Sequence, residues 1–282
     1  MSPYVLDGIY CQPMTFQVPL DHTQPGGKQL TLFARTLTDK NRRNEALPLL
    51  LFLQGGPGFG APRPTANSGW LKRALQEFQV VLLDQRGTGQ STPISAKALA
   101  HLSPAEQADY LRHFRADSIV RDAELVRAKL SPDRPWSLLG QSFGGFCCLT
   151  YLSLFPEALQ EVYITGGIAP IGRSADEVYR ATYRRVAAKQ KALCERFPAM
   201  QGMLDRLAAH LHSQDVRLPN GQRLTVEQFQ QQGLDLGASG GPEGLYYLLE
   251  GAFDGEQLSD AFLYQMQAMQ PFNSHPVFAI LH

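Results

Sequence analysis

Ser142 stands in the run GQSFG (140–144), a serine between two glycines. A serine hydroxyl attacks a carbonyl carbon only when a base takes its proton, an acid orients that base, and donors receive the oxyanion. G-x-S-x-G alone is a common pattern, and a plain glycine-rich strand-to-helix turn is the competing reading. The surroundings separate the two. An apolar run, WSLLG (136–140), leads into the serine, and the apolar helical run FGGFCCLTYLSLF (143–155) follows it. That is the strand–turn–helix setting of a nucleophile elbow, which lifts a strained serine above a sheet. Side chains at Gly140 and Gly144 would collide with the adjoining strand and helix. The Phe143 N–H then falls at a helix start, where it can bind a developing oxyanion.

The run LFLQGGPGFG (51–60) offers the second donor. A buried strand ends in glycines around Pro57, and glycines let a backbone approach a substrate closely. Gly56 is the first choice for the oxyanion N–H, and Gly55 is the neighbour it could be confused with. Gly55 and Gly58 are candidates for substrate contact. A phosphate-binding loop is excluded, because no Lys-Ser or Lys-Thr follows. In LLDQRGTGQS (82–91), Asp84 precedes the serine, whereas a triad of this architecture runs Ser, then Asp or Glu, then His. Asp84 and Arg86 are therefore expected to form a buried, hydrogen-bonded scaffold beneath the elbow rather than to act on substrate.

These motifs need a sheet to hold them. TFQVPL (15–20) and QLTLFARTL (29–37) flank the turn DHTQPGG and read as a hairpin. PLLLFL (48–53), FQVVLLD (78–84), WSLLG and, more weakly, EVYITGG (161–167) read as buried strands. Between them lie helical patterns at SGWLKRALQEF (68–78) and SIVRDAELVRAKL (118–130). The alternation predicts an α/β fold with a mostly parallel sheet and helices on both faces. After Pro170 the texture becomes helical: 175–197, 203–212, 243–253 and 255–270 are amphipathic. The expected division is a core over 1–169 and a helical cap over 170–282.

Composition narrows the function classes. Lys+Arg and Asp+Glu number 26 each, so nothing favours nucleic acid or an anionic membrane as partner. Cys11, Cys147, Cys148 and Cys194 show no metal-ligand spacing and read as buried thiols of a reducing compartment. No apolar run approaches the ~20 residues of a membrane span, and no leader pattern is visible. A cytoplasmic location is the expectation.

QGGPGFG, DQRGTGQS, DSIVRDAELVR and GQSFGGF, in this order, resemble the prolyl aminopeptidases (proline iminopeptidases), serine peptidases of the α/β-hydrolase fold. FQVPLDHTQPGG and YYLLEGAF suggest the longer-chain branch, which is similar to this chain in carrying Gln where Gln54 stands. The resemblance implies hydrolysis by acylation of Ser142, with oxyanion support from Gly56 and Phe143. It implies peptide substrates with N-terminal proline and no cofactor or metal. An esterase or amidase of other specificity is the alternative on the same fold, and an inactive protein the alternative from another class.

The family places its acid and histidine after the cap. Here His210 and His212 lie in a helical pattern read as a solvated face, His275 resembles the end of the family's cap, and His282 is the last residue. None fits the base, so the triad Asp and His, with further strands and helices, are expected beyond residue 282. The 282 residues alone are expected to be unstable and inactive, with an open sheet edge. An aminopeptidase must also bind a substrate ammonium. Glu250, in the apolar context YYLLEGAF, is the candidate, because a carboxylate among apolar residues needs a partner.

Overall fold

The computed structural model describes residues 1–270, 272 and 274–281. The chain forms two compact units: Met1–Ala169 with the segment from Ser274 onward, and Pro170–Asn273. The helical segment expected over 170–282 is thus shorter at its end. Val277 is buried in the first unit's core with Ile94 and Phe114, and burial of this apolar turn decides where the segment belongs.

In the first unit, seven strands form one sheet: β1 (Tyr4–Leu6), β2 (Ile9–Pro19), β3 (Gln29–Asp39), β4 (Leu49–Leu53), β5 (Gln79–Asp84), β6 (Trp136–Gln141) and β7 (Leu159–Thr165). Their spatial order is β1-β2-β3-β5-β4-β6-β7. The sheet is mixed. β1, β2, β3 and β5 pair antiparallel, while β5, β4, β6 and β7 run parallel. Six strands are legible in the sequence. The short β1 and the start of β2 escape it, because Pro13 and the polar residues around it hide the alternation.

Side-chain period decides the two faces. Leu49, Leu51, Leu53, Val81 and Leu83 enter one core; Leu50, Phe52, Val80 and Leu82 enter the other. All five residues of β4 are buried, as a strand clothed on both sides requires. α1 (Gly69–Ala74) covers one face with Leu71 and Ala74. After the short α2 (Ala96–Leu99) and α3 (Pro104–Leu111), α4 (Ala116–Leu130) and α5 (Phe143–Leu154) cover the other. β7 is the edge strand on the parallel side, opposite β1, and Tyr163 on it is 45% exposed.

The second unit holds α6 (Ala175–Arg196), α7 (Met200–Ser213), α8 (Val226–Gln230) and α9 (Gly241–Glu250), then a two-stranded hairpin, β8 (Phe253–Asp254) and β9 (Gln257–Leu258), then α10 (Asp260–Ala268). Leu207, Leu211, Leu245, Leu249 and Phe262 make its core. The single helix expected over 255–270 is a hairpin strand followed by α10. Ser259 accepts the Phe262 N–H as N-cap, and that fixes the helix start at Asp260, five residues late. α11 (Pro276–Leu281) lies in the first unit.

Candidate active site

β4 sits between β5 and β6, so the chain leaves β4 toward one side and later returns on the other. Ligands of open α/β sheets bind at such a switch point, beyond the carboxyl ends of the strands. The loop after β4 carries Gly55 and Gly56, and the turn after β6 carries Ser142.

Ser142 has φ 55° and ψ −120°, a conformation rare for any residue with a side chain. Its N–H donates to Thr165 O at 2.8 Å, and its carbonyl accepts the Gly145 N–H at 2.8 Å. These bonds clamp the serine between β7 and α5. The turn closes tightly because two glycines yield space: a methyl group on Gly144 would strike the Leu53 carbonyl, and one on Gly140 would stand 2.6 Å from Cys148 Sγ. Ser142 itself is half-buried rather than interred. Phe143 is the first residue of α5, so its N–H has no acceptor within the helix.

Gly55 lies directly against the serine. A methyl on it would stand 2.8 Å from Ser142 Cβ and 3.5 Å from Ser142 Oγ. Gly56, with φ +123°, supplies the next N–H along the loop. The pairing of β4 with β6 therefore sets Gly55 against Ser142, with Gly56 and Phe143 the next residue along each segment. Gly58 departs from the expectation of substrate contact. It is buried, and a methyl there would stand 2.7 Å from Phe278 N and 3.0 Å from Val277 Cβ, so it serves close packing.

The family model for the alpha/beta hydrolase fold matches residues 48–278. The chain belongs to that family. It is 74% identical over 280 residues to a curated proline iminopeptidase of Aeromonas sobria, which covers 99% of this chain and 66% of the relative. It is 40% identical over 243 residues to a proline iminopeptidase of Aspergillus aculeatus, covering 83% of this chain and 54% of the relative. A solved structure of a proline iminopeptidase-related protein from Thermus thermophilus overlaps 54% of this chain and 44% of its own, with 24% identity and a TM-score of 0.35. The chain thus spans less than two thirds of the length of the two curated relatives.

Asp84 and Arg86 are both buried and hydrogen-bonded, each to partners of its own. Asp84, fully buried, accepts the Ala61 and Gln90 N–H groups at 2.8 Å each and two bonds from Arg63 at 2.9 and 2.5 Å. It ties the end of the glycine loop to the loop after β5. Arg86 instead makes a forked pair with Asp122 of α4, at 2.7 and 2.5 Å, and donates to Pro19 O, Leu20 O and His113 O. His22 Nε2 sits 2.9 Å from Asp122 and 3.0 Å from Arg86. Asp84 ends β5 and Arg86 lies in the loop that follows, so a two-residue spacing does not make them partners. Arg63 was invisible to motif reading; its signal is only a lone arginine following a glycine-rich loop.

Cys147 and Cys148 pack beneath the elbow. Burial raises both thiols, Cys148 to about 12, so they stay protonated. Glu250 ends α9 on the exposed side, not among apolar residues. Its partner is the Tyr246 hydroxyl, whose titration is raised by that hydrogen bond. His210 is half-buried with its ring edge-on to Phe253 at 5.5 Å, and His212 is exposed. His282 lies outside the described residues. No helix is long and apolar enough to cross a membrane among the described residues.

Proposed function

We propose that this chain is part of a serine aminopeptidase that releases N-terminal proline from peptides. The observation that carries the reading is the strained Ser142 with Gly55 packed against it, in a chain 74% identical to a proline iminopeptidase. Ser142 Oγ attacks the carbonyl carbon of the first residue. The tetrahedral oxyanion is received by the Gly56 and Phe143 N–H groups, which lie at a loop and a helix start and need no reorganisation. The C–N bond then breaks, the shortened peptide leaves as an amine, and water hydrolyses the acyl-enzyme.

The reaction needs a base for Ser142 and an acid to orient it. Among the described residues no histidine is hydrogen-bonded to the serine hydroxyl, and the reading leaves both groups outside them. The test is hydrolysis of proline p-nitroanilide by the intact parent protein, together with fluorophosphonate labelling. Ser142→Ala is expected to lower kcat by about 10⁴-fold or more and to abolish labelling. An unlabelled Ser142 in the wild type, or undiminished turnover in the variant, would falsify the proposal.

A further inference from the structure

The loop that carries Gly56 holds two residues at positive φ, Gly56 at +123° and Gly58 at +99°, on either side of Pro57. Glycines leave such a loop free to adopt other shapes, so something must select this one. Asp84 holds its far end through Ala61. Its tip is held differently. The Phe59 ring lies against the Gly56 backbone: a methyl on Gly56 would stand 2.7 Å from Phe59 Cδ2. On Phe59 rests the ring of His275, stacked with centroids 4.0 Å apart and planes 23° apart. The Phe278 ring meets Phe59 edge-on at 6.1 Å, and Val277 and the Phe278 backbone fill the space over Gly58. His275 also shares a hydrogen bond with Ser274 Oγ, at 2.9 Å from Nδ1, which fixes its ring.

We infer that His275 is a positioning residue for the oxyanion loop: by stacking on Phe59, it presses that ring against Gly56 and holds the Gly56 N–H beside Ser142. The inference deepens the aminopeptidase reading and rests on it for its kinetic consequence alone. The histidine acts here as a flat aromatic surface, not as the base. A base would have to exchange protons with Ser142, whereas a stacked ring acts through shape, and these roles respond differently to substitution. Phenylalanine keeps the flat ring and removes the nitrogens; alanine removes both.

Two measurements test it. Gly56 Hα protons lie beside an aromatic ring, so glycine-labelled protein is expected to show them displaced by ring current. In His275→Ala they should move toward their unstructured position, and in His275→Phe they should stay. This spectrum needs no activity, so it decides the inference even if proline p-nitroanilide is not a substrate. On that substrate, His275→Ala should lower kcat about three- to tenfold with KM held, in the range an aromatic pair contributes. His275→Phe should restore it with the pH profile unchanged. Gly56 signals indifferent to His275→Ala would overturn the inference. So would a loss of turnover in His275→Phe as deep as that of Ser142→Ala, which would mark His275 as a direct participant in proton transfer.

Discussion

α5 and α6 are held by opposite means. α5 is apolar on every side, and Gly144, Gly145, Cys147, Cys148 and Tyr151 are buried. Its first turn touches β4 backbone to backbone, at Gly144 and Leu53. α6 runs for 22 residues with only Leu193 buried. It starts with a capping box, in which Ser174 Oγ accepts the Glu177 N–H while Glu177 accepts the Ser174 N–H at 2.8 Å. Exposed pairs four residues apart, Arg173–Glu177 and Asp176–Arg180, follow along its surface. The lesson concerns precision. A helix that must place a nucleophile is fixed by close packing, which tolerates no added atom. A helix supported by caps and exposed pairs depends on many weak terms, each worth a few tenths of a kcal/mol to about 1 kcal/mol.

The comparison breaks most sharply at Gly144. Gly144→Ala places a methyl into the Leu53 carbonyl, and α5 can accept it only by leaving β4. A destabilisation above about 4 kcal/mol is expected, read as a lowered urea midpoint for the first unit, with fluorophosphonate labelling of Ser142 lost even in protein that remains folded. A change below about 1 kcal/mol would mean that the contact with β4 is looser than drawn.

On α6 the effects are smaller. Ser174→Ala removes the cap, and amide exchange in the first turn should speed up about fivefold, equivalent to about 1 kcal/mol, with Ser142 labelling untouched. Unaltered exchange would assign the start of α6 to something other than its cap. The smallest effect is a titration. Hydrogen bonds from the Ser174 N–H and hydroxyl, and from Arg173, hold the Glu177 carboxyl below its ordinary range. Its contribution is therefore complete above the unfolded-state value and disappears as pH falls through the lowered folded value. Helicity of the first turn of α6 should decline in that acidic window in wild type, and the pH dependence should flatten in Glu177→Gln.

The elbow and the loop after β4 were legible because their signals are local. Ser142, Phe143 and Gly140 are read from a strand-like run meeting a helix-like run, and the predicted strained turn is the one found, at φ 55°. Six strands of the large sheet followed from apolar or alternating runs of the right length, and in that sheet the weakly alternating start of the chain escaped. The second unit was harder. Its helices were found, but the α10 boundary was set by a cap and a hairpin that periodicity alone passes over. Glu250 stands outside the apolar setting its sequence neighbours suggest, because a helix turns successive residues to different faces: Leu245, Leu248 and Leu249 point inward, and Glu250 points out.

Sequence alone determined that a serine would stand in a glycine-framed turn at the end of a buried strand, since strand period, helix period and backbone sterics act over a few residues. Tertiary structure alone decided that Asp84 would take Arg63 while Arg86 took Asp122, and that residues 274–281 would fold against the glycine loop. Those outcomes depend on which groups meet in space after distant segments pack. Buried charges and aromatic rings choose partners by distance and geometry, and neither is written in the spacing of residues along the chain.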